Sequence, residues 1–171
     1  MITAICPGSY DPVTNGHVDV IRRAAGIFDR VVVGVVGEPR HKQPLFAIEE
    51  RVAFLESALA HLDNVEIDVF RELVVEFAHK WDAKVIVKGL RVISDFEWEF
   101  QMNQLNRHLA PDVETVYVMA SPTVSFVSSS GVKEIAAFGG DISALVPEPV
   151  ARRFKELIPS GRPGTPENPG E

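Results

Sequence analysis

The sequence predicts an α/β protein built on a doubly wound parallel sheet of five strands, with helices on both faces and a helical carboxyl-terminal end. Two observations predict it. Short apolar, largely β-branched runs alternate with stretches of helical period, the pattern of repeated βα units. Four of the five runs are almost purely apolar, as expected of strands covered on both faces. The strands are expected at residues 2–6, 31–36, 65–69, 84–88 and 115–119.

Between them, residues 17–28 carry Val18, Ile21, Ala25 and Phe28 at helical spacing, and residues 48–62 carry Val52, Leu55, Leu59 and Leu62. A short helix is expected over 73–81. A longer one begins near Ser94 or Asp95, either of which can cap its first turn, and runs to about Leu109 ahead of Pro111. Ser128-Ser129-Ser130 opens a helix that reaches Phe138 and stops at Gly139-Gly140, and Pro147-Glu148-Pro149 leads into a last helix over 150–158. Residues 159–171 offer nothing apolar to bury except proline, so they read as a disordered tail, leaving residues 1–158 as a single domain.

Composition narrows the function. A chain of 171 residues with 46% hydrophobic content can bury one sizeable core. The lone Cys6 forms no internal disulfide and lies in an apolar strand, where it reads as a small buried hydrophobe. With no signal-like opening and no apolar run of about 20 residues, the protein is expected to be cytoplasmic, with no membrane partner. A formal charge of −7 argues against broad nucleic-acid binding and leaves room for a local basic pocket.

In such a sheet, ligands bind beyond the carboxyl ends of the strands, near the point where strand order reverses. After the first strand come Gly8, Ser9 and Tyr10, then Thr14-Asn15-Gly16-His17 at a helix start. Backbone N–H groups and an imidazole there suit a phosphate. Spacing alone leaves a second reading open, an ordinary Asn-Gly turn with a solvent-facing His17. The helix dipole disfavours imidazolium at that position and a bound phosphate favours it.

The loop after the second strand brings Arg40, His41 and Lys42, which either attract a phosphate or are simply solvated. The fourth strand delivers Lys88-Gly89-Leu90-Arg91 at its carboxyl end, two cations around a residue that lets a ligand approach the backbone. Asp95 and Glu97 fit as favourable charges near a helix start, and Glu99 is left open. Val124-Ser125-Phe126-Val127-Ser128-Ser129-Ser130, with Lys133 one turn on, holds more hydroxyls than a cap needs and reads as a second phosphate-binding end. No two of the five histidines stand at i, i+4, no Gly-x-Ser-x-Gly elbow occurs, and the cysteine lies within a strand, so neither a histidine metal site nor covalent catalysis is expected. Trp81 and Trp98 read as core or subunit contact.

Taken together, these segments match something specific. Thr14-Asn15-Gly16-His17 resembles the Thr/His-x-Gly-His signature of the nucleotidylyltransferases, and Val127 to Ser130 with Lys133 resembles their second signature. With Pro-Gly-Ser-Tyr-Asp-Pro-Val at the start, Lys-Gly-Leu-Arg, Asp-Phe-Glu-Trp-Glu and Ser-Phe-Val-Ser-Ser-Ser in order, residues 1–158 resemble the bacterial phosphopantetheine adenylyltransferases.

The resemblance implies a Rossmann-like fold. The implied reaction transfers AMP reversibly from ATP to 4′-phosphopantetheine, giving dephospho-coenzyme A and pyrophosphate in coenzyme A synthesis. It further implies Mg²⁺ held mainly by the substrate phosphates and a homohexamer. Residue by residue, it implies that Ser9, Tyr10 and His17 meet the ATP phosphates, His17 as the transition-state stabiliser. Gly89, Leu90, Arg91, Glu99, Val124, Ser125, Phe126, Val127, Ser128, Ser129 and Ser130 would bind ATP, while Lys42 and Lys88 hold the acceptor phosphate with Ser9, and Val74 lines its arm. The loop carrying Lys42 is one residue longer than in familiar members, which leaves His41 as an alternative anchor. Lys88 stands where some members have arginine, and Val124 where some have an aromatic ring. The rival readings are a sister nucleotidylyltransferase with another phosphate acceptor and a non-catalytic ATP-binding module.

Overall fold

A computed structural model of the chain describes residues 1–37 and 43–158. In chain order its elements are β1 (Thr3–Gly8), α1 (Asn15–Ala25), β2 (Arg30–Val36), α2 (Ile48–Leu59), β3 (Val65–Phe70), α3 (Val74–Lys80), β4 (Val85–Leu90), α4 (Ile93–Leu109), β5 (Glu114–Met119), α5 (Ser129–Ala137) and α6 (Glu148–Leu157). The five strands form one sheet in the order β3-β2-β1-β4-β5, with every neighbouring pair parallel. This is the doubly wound sheet that the alternation of elements predicts.

Period-two alternation divides the core between the two faces of the sheet. Ala4, Cys6, Val31, Val33 and Val35 pack on one face with Ile21 and Ala24 of α1, Leu55 of α2, Val132 of α5 and Phe154 of α6. Ile5, Val32 and Ile86 pack on the other with Val75, Phe77 and Ala78 of α3 and with Ala110 and Val113 beyond α4. Gly34 of β2 shows how closely that second layer approaches. A methyl group there would lie 2.5 Å from Cε1 of Phe77 and 3.1 Å from Cε1 of Phe70. Gly34→Ala is therefore expected to cost about 2 kcal/mol through overpacking and to lower Tm by roughly 4–8 °C. A thermal melt checks this, and an unchanged Tm would contradict it.

The strand order reverses at β1 and β4, and there the sheet opens. β1 pairs with β2 as far as Gly8, and β4 pairs with β5 as far as Leu90, but the rungs between β1 and β4 are Ala4–Val85 and Ile5–Ile86. Beyond Ile5 the two strands part, and the residues that continue them face a common crevice.

Several expected boundaries move. β1 continues through Pro7 and Gly8, and β4 through Gly89 and Leu90, because their outer neighbours keep supplying ladder partners after the central pair has separated. Lys88 is thus inside a strand instead of ending one. Helix α1 starts at Asn15 with Thr14 as its cap. Neither Ser94 nor Asp95 caps α4: the cap position is Val92, without a side-chain bond. The Asp95 carboxylate instead accepts the N–H of Arg91 at 3.1 Å. Residues 159–171, expected as a disordered tail, lie outside the described residues.

Candidate active site

A cavity of about 490 Å³ occupies the crevice between β1 and β4. Its walls are the ends of those two strands, the start of α1, the first turns of α4 and the amino-terminal end of α5.

On the β1 side, the loop into α1 turns sharply at Tyr10, whose φ of 49° is left-handed. The turn is held from within: the Tyr10 hydroxyl donates to the Cys6 carbonyl at 2.7 Å, and its ring meets the His17 imidazole edge-on at 5.1 Å between centroids. Helix α1 then opens with a reciprocal cap. The Thr14 hydroxyl accepts the N–H of His17, and Nδ1 of His17 accepts the N–H of Thr14 at 3.0 Å. Because Nδ1 is an acceptor in that bond, the ring proton of the neutral imidazole sits on Nε2. Burial, and then the Arg91 guanidinium, push the His17 pKa down to about 4, so the unliganded side chain is neutral at pH 7. Burial thus reinforces the dipole effect expected from sequence. A methyl group at Gly16 would lie 3.3 Å from the Val124 carbonyl, so glycine here lets the segment before α5 approach the start of α1.

On the β4 side, Lys88, Gly89 and Arg91 line the cavity together with Asp95 and Glu99 of α4. Each cation has a carboxylate partner. Nζ of Lys88 lies 3.4 Å from Glu99, and Arg91 makes a two-pronged contact with Asp95 at 3.1 Å on each side while donating to the Val127 carbonyl. The third wall is the start of α5. Ser128 caps it by accepting the N–H of Gly131, Ser129 donates its hydroxyl to the Pro12 carbonyl at 2.8 Å, and Ser130 is exposed on the cavity wall. The apparent excess of serines therefore has two structural uses, and one first-turn N–H group, that of Gly131, is already taken by the cap. Lys133 does not line the cavity; its Nζ lies 2.7 Å from the Asp11 carboxylate.

A cytidylyltransferase-like family model matches residues 5–135. The phosphopantetheine adenylyltransferase of Caldanaerobacter subterraneus subsp. tengcongensis is 51% identical over 156 residues, covering 91% of this chain and 97% of that protein. The phosphopantetheine adenylyltransferase of Thermomicrobium roseum is 50% identical over 161 residues, covering 91% and 96%. The chain belongs to the phosphopantetheine adenylyltransferase family. Its fold is shared by a putative nicotinate-nucleotide adenylyltransferase from Vibrio parahaemolyticus, with a TM-score of 0.66 at 17% identity over 92% of this chain and 93% of that one.

Of the residues that the family resemblance singles out, Tyr10, His17, Lys88, Gly89, Arg91, Glu99, Val127, Ser128, Ser129 and Ser130 converge on the cavity. Others lie away from its lining. Ser9 is exposed, Leu90 is buried, Val124 is half-buried against the core, and the Ser125 hydroxyl donates to the Pro122 carbonyl. Phe126 is 71% exposed, and Val74 packs against the second core cluster at the start of α3. Lys42 and His41 lie outside the described residues. Trp81 packs beside the second core cluster, whereas Trp98 is exposed at the cavity wall.

Three buried charged residues that frame the site escape sequence reasoning. Asp19 of α1 accepts both the N–H and the hydroxyl of Ser121, fixing the segment after β5 against α1. Asp11 accepts the N–H groups of Leu45 and Phe46, both at 2.9 Å, besides Lys133. Arg51 of α2, 1% exposed, donates to the carbonyls of Ser9, Val36 and Gly37. A signal for Arg51 does exist: it stands three residues from Ile48 and from Phe54 and four from Leu55, a charge in the apolar register of its helix.

Proposed function

We propose that the cavity brings the phosphate monoester of 4′-phosphopantetheine into line with the α-phosphorus of ATP, forming dephospho-coenzyme A and releasing pyrophosphate, in a reversible transfer of AMP. One observation carries this reading. A neutral imidazole with its proton fixed on Nε2 stands in one crevice with Lys88, Arg91 and the amino-terminal end of α5.

These are groups that bind and stabilise phosphate charge, and a phosphate monoester, already anionic at neutral pH, needs no general base to attack. His17 donates from Nε2 to the oxygens on which charge grows. Tyr10, Gly89, Leu90, Arg91, Glu99 and the segment from Val124 to Ser130 hold ATP. Lys42, Lys88, Ser9 and Val74 hold the acceptor. The phosphates draw Lys88 and Arg91 away from Glu99 and Asp95, exchanging one anionic partner for another, so the cations enter the reaction without first being desolvated. Mg²⁺ would be held mainly by the substrate phosphates and would supply positive charge to the leaving pyrophosphate.

The same reading takes the protein as a cytoplasmic homohexamer with residues 1–158 as one domain. Helix α4 supports self-association, because Ile93, Phe96, Trp98, Phe100 and Leu105 on it are all at least 46% exposed. Among the described residues, no helix is long and apolar enough to cross a membrane.

Pyrophosphate release from ATP and Mg²⁺ tests the reading. It is expected with 4′-phosphopantetheine and absent with nicotinamide mononucleotide; release only with the latter would replace the acceptor. Lys42→Ala is expected to weaken 4′-phosphopantetheine binding about tenfold or more, the scale of one charge-assisted contact, while sparing ATP. Titration calorimetry checks this, and unchanged acceptor binding would refute the role of Lys42.

A further inference from the structure

We infer that Arg51 is a positioning residue for the transfer, holding the loop between β1 and α1 in its working geometry, and that Asp11 passes this setting on to the segment preceding α2 and to α5. The inference rests on the reaction proposed above and names residues that do not line the cavity.

The carboxyl ends of β1 and β2 are where the sheet runs out of partners. The last rung between them joins Gly8 to Val35, so the carbonyls of Ser9, Val36 and Gly37 lie at or past the end of the ladder. Carbonyls left without ladder partners at such a point take donors from elsewhere. Arg51 reaches them from α2, with Nη1 at 2.8 Å from Ser9 and 2.9 Å from Val36, and Nη2 at 3.2 Å from Gly37. One planar guanidinium thus ties two strand ends together, which a lysine ammonium cannot reproduce.

Stability alone is a poor account of this arrangement. Among the described residues, no carboxylate is bonded to Arg51 and its buried Nε has no hydrogen-bond partner. Among the described residues its hydrogen bonds reach only neutral carbonyls, and the attraction of Asp11 and Glu49 does not outweigh its burial, so much of its desolvation cost remains. What it does fix is the residue on which the site turns. Ser9 precedes Tyr10, the left-handed residue whose ring packs against His17. Asp11 follows, and its carboxylate receives Leu45 and Phe46 on one side and Lys133 of α5 on the other. From Arg51 the path therefore runs through Ser9 and Tyr10 to His17, and through Asp11 to two further walls of the site.

Arg51→Lys and Arg51→Met test this, each studied at a temperature where circular dichroism shows it folded. Turnover is expected to fall at least about tenfold per folded molecule with KM for ATP within about threefold, because a small misplacement of reacting groups lowers kcat more than it lowers binding. Independently of turnover, amide hydrogen exchange at Leu45 and Phe46 is expected to quicken at least about tenfold relative to amides of β5, since their acceptor would no longer be held in place.

Folded variants with turnover within twofold of the parent, or exchange that quickens equally everywhere, would overturn the inference. So would failure of both variants to fold, which would make Arg51 a folding determinant. If the parent itself fails to use 4′-phosphopantetheine, the proposed reaction falls, while selective exchange at Leu45 and Phe46 would still support the clamp.

Discussion

Replacing His17 with alanine is expected to lower kcat by about 10²-fold or more while leaving ATP affinity within about tenfold, the pattern of a donor that acts chiefly on transition-state charge. The geometry explains the asymmetry. On the proposed reading phosphate binding is shared among Lys88, Arg91 and the α5 end, which line the same cavity, so the loss of one neutral donor would be tolerated in the ground state. Nε2–H, in contrast, is the proton that the Thr14 cap fixes in place, and among the described residues no other imidazole lines the cavity. Equal turnover in variant and parent would remove His17 from the mechanism. His17 also leaves a mark on stability. Its pKa falls from 6.5 to about 4 in the folded protein, so its contribution is complete above pH 6.5 and is lost as the pH drops toward 4. Urea titrations at pH 5 and pH 7 should therefore show a smaller acid loss for His17→Ala than for the parent.

Asp11→Ala is expected to be the most destabilising single change near the site, costing about 3 kcal/mol or more and lowering Tm by roughly 6–12 °C. It strands the Lys133 ammonium and leaves two main-chain N–H groups without their acceptor. Burial raises the Asp11 pKa, but the bonds from Lys133, Leu45 and Phe46 outweigh it, and the net shift is downward from 3.8. A carboxylate with a depressed folded pKa contributes fully above its unfolded value and loses that contribution as the pH falls through the folded one. The variant's deficit should accordingly be constant at neutral pH and shrink below about pH 3.8. A deficit under 1 kcal/mol at pH 7 by denaturant titration would show that the clamp carries little energy.

The order of elements was legible because four of the five strands are apolar runs, α1 and α2 repeat their apolar residues at helical spacing, and serines, prolines and glycines bound the later helices. Where reading stopped short, the cause was tertiary. Gly89 and Leu90 belong to β4 because β5 pairs alongside them, a fact outside the local pattern. Asp95 looked like a cap, yet the bidentate attraction of Arg91 holds its carboxylate. Lys133, in the register of a phosphate ligand, is neutralised by a residue 122 positions away. The cavity itself was partly legible, since motifs at strand ends and helix starts are local. The roles of the buried charges Asp11, Asp19 and Arg51 were not, because Leu45, Phe46 and Lys133 for Asp11, Ser121 for Asp19 and the carbonyls of Ser9, Val36 and Gly37 for Arg51 come from other segments; spacing marks Arg51 as a charge in an apolar register without naming what it bonds.

The most direct test of the central claim, a single in-line displacement with no group of the protein bonded to AMP, is the stereochemical course at phosphorus. ATP carrying sulfur at the α-phosphate in one known configuration, given with Mg²⁺ and 4′-phosphopantetheine, should yield dephospho-coenzyme A with that centre inverted. Retention would require two displacements through a covalent intermediate and would contradict the account.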